Sequence, residues 1–219
     1  MSFEAAELPA TSYVAEPAGL PQAAVVVVHD WFGLLDHVRR SCDSLAGSGL
    51  LAVAPDLYDG KATTDSAQAE RLLGELDEPA AAQLLRSLVP TLQTRDGVLR
   101  VGAVGFSVGG HLALSVADAG LAAVVAYYGT GEPKDAARVR CPVLGHFAEE
   151  DEWPATTHPG GYVDEYFSEL RARGVDASYH LYGGTEHSFA NEDVDAFAPA
   201  AAARAWRRTM IFLGLRLRN

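Results

Sequence analysis

The chain has 219 residues, 48% of them hydrophobic and 21% charged, the makeup of a globular domain with one substantial core and not of a disordered or collagen-like chain. Its 17 Lys and Arg against 29 Asp and Glu give a formal net charge of −12. That balance excludes the basic footprint that grips a phosphate backbone or an anionic leaflet. The N-terminal stretch carries Glu4, Glu7 and Glu16 but no Lys or Arg, unlike a secretory signal. The apolar run from Ala23 to Val28 is far short of the ~20 residues of a membrane helix. A soluble, cytoplasmic protein with no nucleic-acid or membrane partner is expected. Cys42 and Cys141 cannot build a disulfide framework, and without a C-x-x-C or Cys/His cluster they read as small buried hydrophobes.

No internal repeat or long linker divides the chain, so one domain over 1–219 is expected. Short β-branched runs alternate with longer amphipathic stretches, the signature of βα units around a mostly parallel sheet. Ala23 to Val28 is continuously apolar, as a strand covered on both faces should be. A helix follows from Asp36 to Leu45, then a strand from Leu50 to Ala54. Ser66 to Leu76 and Pro79 to Leu92 suit helices, with Pro79 tolerated in the first turn. Val98 to Val104 reads as a strand, followed by a helix from Ser107. Strands at Ala122 to Tyr127 and Pro142 to Phe147 come next. Gly161 to Arg173 reads as a helix stopped by Gly174, and Ala177 to Tyr182 as the last strand. A C-terminal helix from about Ala196 carries Trp206, Met210 and Leu213 at helical spacing, a core stripe.

The sharpest chemical feature is Gly105-Phe106-Ser107-Val108-Gly109-Gly110, between an apolar run and a helix-like segment. A serine on a tight strand-to-helix turn takes a strained backbone, with glycine on either side where a Cβ would strike the neighbouring strand or helix. Such an elbow lifts the hydroxyl above the sheet and aims the Val108 amide at a developing oxyanion. The bland alternative is a helix-capping Ser107.

A serine hydroxyl is a weak nucleophile and needs a base. Of the seven histidines, His187 lies in the loop after the last strand, where a base belongs in this architecture. His180 and His111 read as structural imidazoles; His37 and His158 read as solvated; His29 and His146 close strands near the same edge and read as lining groups. The third member should be a carboxylate after the strand ending near Phe147. Glu149, Glu150, Asp151 and Glu152 compete, and Asp151 is the choice because it can turn inward on a rigid loop. Trp31, in the loop after the first strand, is the expected second oxyanion amide. Asp30 beside it is either an auxiliary acid or a loop-capping side chain.

Together His29-Asp30-Trp31-Phe32-Gly33, Ala54-Pro55-Asp56-Leu57-Tyr58, the elbow, Tyr127-Tyr128-Gly129, Asp151-Glu152-Trp153-Pro154 and Gly184-Thr185-Glu186-His187-Ser188-Phe189 resemble the dienelactone hydrolase family of α/β-hydrolases. The resemblance implies a sheet of seven to eight strands without a large cap, and hydrolysis of esters or lactones through an acyl-enzyme. It also carries two departures. The best-known members use a cysteine nucleophile with a glutamate where Asp30 stands, so Ser107 must lose its proton to His187 during attack. They also bind a substrate carboxylate with arginines, where this sequence has Asn191 and no counterpart near Ser66.

Phe32, Tyr58, Phe106, Tyr128, Trp153 and Phe189, with Trp31, read as an aromatic mouth suited to an apolar acyl or lactone substrate. The expected partner is therefore a small neutral ester or lactone, acted on by a monomer or homodimer. No Rossmann fingerprint, P-loop or metal spacing is present, so no cofactor is expected. The alternatives are a thioesterase or acyltransferase on the same residues, and a ligand-binding scaffold without turnover.

Overall fold

The computed structural model describes residues 8–151 and 161–217. Seven strands form one sheet: β1 Tyr13–Ala15, β2 Ala24–Val28, β3 Leu51–Ala54, β4 Val101–Phe106, β5 Ala123–Tyr127, β6 Val143–Ala148 and β7 Ala177–Tyr182. Their spatial order is β1-β3-β2-β4-β5-β6-β7. Only β1 runs antiparallel, pairing Tyr13 with Ala54 at the edge; the other pairings are parallel. Among the described residues the α-helices are α1 Asp36–Gly47, α2 Ser66–Glu75, α3 Glu78–Gln93, α4 Val108–Ser115, α5 Tyr162–Ala172 and α6 Pro199–Leu217. The architecture is that of an α/β-hydrolase.

Strand alternation explains why both faces are covered. On β2, Ala24, Val26 and Val28 point to a core shared with α3, α4 and α5, while Val25 and Val27 point to one shared with α1 and α6. Helix α3 supplies Leu85, Leu88, Val89 and Leu92 to the first core, the i, i+3, i+4, i+7 stripe of an amphipathic helix. Each such aliphatic contributes about 1.5–3 kcal/mol by burial.

Most boundaries shift by a residue or two, and the differences at β4 and α6 have physical reasons. Strand β4 runs on through Gly105 and Phe106 and begins only at Val101, because Val98 is buried within a turn whose neighbour Leu99 is 85% exposed. Helix α6 starts at Pro199, where a proline is accommodated without losing a bond. Its buried face is Ala201, Ala205, Thr209 and Leu213, one step round from the expected stripe; Trp206 and Met210 pack only at the margin. Small residues bring α6 close to the sheet, and the Thr209 hydroxyl is hydrogen-bonded to Tyr127 Oη at 2.7 Å and His146 Nε2 at 3.0 Å. The short edge strand β1 and a 3₁₀ turn at Pro133–Arg138 left no periodic signal to find.

Candidate active site

Ser107 caps the junction of β4 and α4 with φ 52° and ψ −119°. That conformation costs an L-residue about 1–3 kcal/mol, and the turn is held by the Ser107 amide donating to Tyr127 O at 2.9 Å. A Cβ on Gly105 would lie 2.1 Å from Gly109 O, and one on Gly109 would lie 2.4 Å from both Val28 O and His29 O. Glycine at both positions is what lets α4 descend onto the ends of β2 and β4. The Ser107 side chain makes no helix-capping bond, which removes the capping alternative.

Ser107 Oγ lies 2.9 Å from His187 Nε2, and His187 Nδ1 lies 2.9 Å from both oxygens of Asp151. An ionised carboxylate only accepts, so Nδ1 carries the imidazole proton and Nε2 is free to accept from the serine hydroxyl. The Asp151 side chain is 3% exposed and His187 20%. Backbone bonds from Glu149 and Glu150 to Tyr182 and Thr185 lash the Asp151 loop to the segment leading to His187, and Gly184 N donates to Glu149 Oε2. Glu149 thus braces the acid loop; Glu152 and Trp153 lie outside the described residues, as does His158.

Val108 opens α4, where first-turn amides have no intrahelical acceptor. In the turn after β2, the Phe32 amide donates to Asp30 Oδ1 at 3.0 Å and the Gly33 amide to Asp30 O at 3.1 Å. Val108 thus follows Ser107 directly at the start of α4, and Trp31 lies in the turn after β2, whose Phe32 and Gly33 amides are already committed to Asp30.

Three other described histidines, His29, His111 and His146, make structural hydrogen bonds. His29 is fully buried: Leu57 N donates to its Nε2 at 3.0 Å, which leaves Nδ1–H to donate to Asp30 O at 2.7 Å. Burial holds this imidazole below the usual histidine range. His146 is sealed between Thr209 and Tyr182, and His111 Nδ1 pairs with Thr130 O at 2.9 Å. His29 and His146 are therefore internal links of the scaffold. His37 corrects the sequence expectation: it is 2% exposed, not solvated, because the first turn of α1 lies beneath Asp30, with Nε2 3.3 Å from Asp30 Oδ2. Both cysteines are buried free thiols, pushed up to about 12 by burial.

Residues 10–216 match the family model for the dienelactone hydrolase family. The chain belongs to the dienelactone hydrolase family. It is 29% identical over 227 residues to "Protein usf" of Aquifex pyrophilus, covering 97% of this chain and 96% of that one. To the carboxymethylenebutenolidase of Pseudomonas putida it is 30% identical over 220 residues, covering 91% and 89%. The solved structure "m3DLH" superposes with a TM-score of 0.75 at 30% identity, covering 91% and 88%. This member of the dienelactone hydrolase family is accordingly a hydrolase.

Sequence patterning groups the aromatics of this dienelactone hydrolase family member as one mouth, but the structure separates them. Phe106 packs inward against His37, Tyr127 and Tyr128, while Phe189 is wholly buried against Tyr128 and Tyr182. These two belong to the core beneath the site, since Phe106 lies on the β4 face that meets α1 and α6. Trp31 is half-buried, and its ring packs on Phe32; Tyr58 packs on His29. Trp31 Nε1, Tyr58 Oη and Tyr128 Oη are buried without a hydrogen-bond partner among the described residues. Burial raises both phenols further above their ordinary range, so both are neutral. Among the described residues no helix is long and apolar enough to cross a membrane.

Three residues at the site had no local signal. Asn191 donates through Nδ2 to Asp30 Oδ2 at 3.0 Å. Asp193 accepts from the His37 amide at 2.7 Å, capping α1 from 156 residues away where Leu35 provides no side-chain cap. His37 completes the group. A pairing pattern between distant segments is invisible to a periodicity search.

Proposed function

We propose that this protein is a serine hydrolase of carboxylic esters or lactones. The observation that carries the proposal is the unbroken relay from Ser107 Oγ through His187 to Asp151, each link at 2.9 Å. Ser107 attacks the substrate carbonyl as His187 Nε2 takes its proton. The carbonyl oxygen, now negative, accepts from the Val108 and Trp31 amides. Protonated His187 gives its proton to the departing alcohol oxygen, leaving an acyl-serine. Water, deprotonated by the same nitrogen, then attacks the acyl carbon and frees the acid and Ser107. Asp151 holds the imidazole in the required tautomer and stabilises its charged form.

The residue at position 191 and the net charge of the chain support a neutral substrate. Relatives named carboxymethylenebutenolidase point to a lactone, and the resemblance places an arginine for the substrate's carboxylate where this chain has Asn191. Here that position is neutral, buried and occupied by its bond to Asp30, and the chain carries net charge −12. Neutral short esters and lactones are the proposed substrates, and anionic ones meet a repulsive field. The test compares matched neutral and carboxylate-bearing aryl esters on wild type, Ser107→Ala and His187→Ala. Turnover of the neutral ester, lost in both variants, supports the proposal. Unchanged rates in Ser107→Ala overturn the mechanism, and equal kcat/KM for the two esters overturns the substrate class.

A further inference from the structure

Asp30 sits within the turn that bears the Trp31 amide, yet its carboxylate is turned away from solvent and fully buried. Oδ1 accepts from the Phe32 amide at 3.0 Å; Oδ2 accepts from Asn191 Nδ2 at 3.0 Å and faces His37 Nε2 at 3.3 Å. The two oxygens thus accept hydrogen bonds from two chain segments, with the buried His37 ring beside them and not hydrogen-bonded among the described residues, and neither oxygen is hydrogen-bonded to Ser107 or His187 among the described residues. Asn191 is equally buried, and its amide orientation is set: Oδ1 accepts from Asp193 N at 3.0 Å, so Nδ2 must be the end that meets Asp30. Asn191 N in turn donates to Ser188 O at 2.8 Å, one residue beyond His187.

We propose that Asp30 is a positioning residue, which acts through Asn191 to fix the turn bearing Trp31 against the loop bearing His187. The role rests on the serine-hydrolase proposal above and adds to it the part that holds oxyanion donor and base in register. The buried carboxylate is a two-sided clamp, with one oxygen on its own turn and the other on the histidine loop. It is not an acid that exchanges a proton with substrate. A clamp of this kind governs catalytic rate because a shift of ~1 Å in a reacting group costs ~100-fold.

The clamp has a polarity that can be reversed. In Asp30→Asn the new amide faces the Asn191 amide, donor against donor. In Asn191→Asp two carboxylates face each other. In the double swap Asp30→Asn with Asn191→Asp, the amide introduced at position 30 keeps its oxygen for Phe32 N and donates to the carboxylate introduced at position 191. The other oxygen of that carboxylate accepts from Asp193 N.

The experiment measures kcat, KM and the pH profile on a neutral aryl ester, the rate at which a fluorophosphonate labels Ser107, and the melting temperature. Each single variant should lose ~100-fold in kcat and in labelling rate with KM little changed. The double swap should return both to within ~3-fold of wild type, with a superimposable pH profile. Should Asn191→Asp fail to fold, Asn191→Ala removes the donor alone and should show the same loss. A folded double swap no faster than Asp30→Asn overturns the clamp in favour of direct proton chemistry at position 30. Near-normal kcat in folded Asp30→Asn or Asn191→Ala overturns it as well. Wild type that turns over the ester without any label on Ser107 defeats the serine-hydrolase proposal instead, and the positioning role falls with it.

Discussion

The ring of Tyr128 lies against the imidazole of His187 with centroids 4.9 Å apart, on a backbone held at φ 38°. Its amide donates to His146 O at 2.7 Å, so the end of β5 carries a rigid aromatic plate against the imidazole. The plate, and not its hydroxyl, sets the height of His187. Tyr128→Phe should retain kcat within ~3-fold and be no less stable, since it removes a buried hydroxyl that lacks a partner among the described residues. Tyr128→Ala should lose about 3–5 kcal/mol of stability and most of its activity. Denaturant melts and steady-state kinetics on both variants check this, and a crippled but folded Phe variant would refute it.

Asp151 holds Nδ1 of His187 through both of its oxygens. Asp151→Asn puts an amide there, which can donate to Nδ1 and favour the tautomer that leaves Nε2 protonated and unable to accept. A fall in kcat of roughly 10³–10⁴ is expected with little change in melting temperature. Retention of a tenth of the wild-type rate would show that the carboxylate is dispensable.

Gly109 packs where a Cβ would lie 2.4 Å from two backbone carbonyls, Val28 O and His29 O. Backbone cannot swing aside as a flexible side chain can, so Gly109→Ala must push α4 off β2. A loss of at least about 2 kcal/mol is expected, with activity falling further as the Val108 amide moves with the helix. A chemical-denaturation midpoint close to wild type would contradict the close packing.

Two buried imidazoles make stability depend on pH. His29 and His146 are both held below the usual histidine range, chiefly by burial and, at His146, also by neighbouring His180 and Arg208. Unfolding frees them to take up protons below about pH 6.5. Stability contributed by the neutral forms is therefore complete above that pH and declines as pH falls, by up to about 1.4 kcal/mol per unit for each group. Urea midpoints at about pH 7.5 and 5.5, on either side of the free-histidine value, should differ accordingly, and His29→Asn, which keeps a polar side chain without a titratable ring, should flatten the slope. A midpoint independent of pH across this window would exclude the burial effect.

Much of the site was legible because its chemistry is tied to local backbone demands. The Gly105-Phe106-Ser107-Val108-Gly109 elbow advertises itself through glycines that only a close strand-to-helix turn needs, and chain order then singles out Asp151 and His187 as partners. The Asp30–Asn191–His37 group was not legible. Its members are ordinary polar residues separated by up to 161 positions, and their meeting depends on where the loop before α6 settles on α1. For the same reason His37 looked like a solvated helix residue: Asp36, beside it, is exposed, and nothing local says that Asp30 will lie over the helix start. Among the elements, continuous apolar runs located the central strands well. The strand β4 was misplaced at both ends because Gly105, needed by the elbow, looks like a strand breaker, while Val98 extends the apolar run backwards into a turn.

The most direct measurement is the intact mass of wild type and Ser107→Ala after exposure to a small fluorophosphonate, followed by mapping of the labelled peptide. One stoichiometric adduct on Ser107 in wild type, absent from the alanine variant, is the predicted result. An unlabelled wild-type protein, shown to be folded by its melt, or an adduct on any other residue, would contradict Ser107 as the nucleophile.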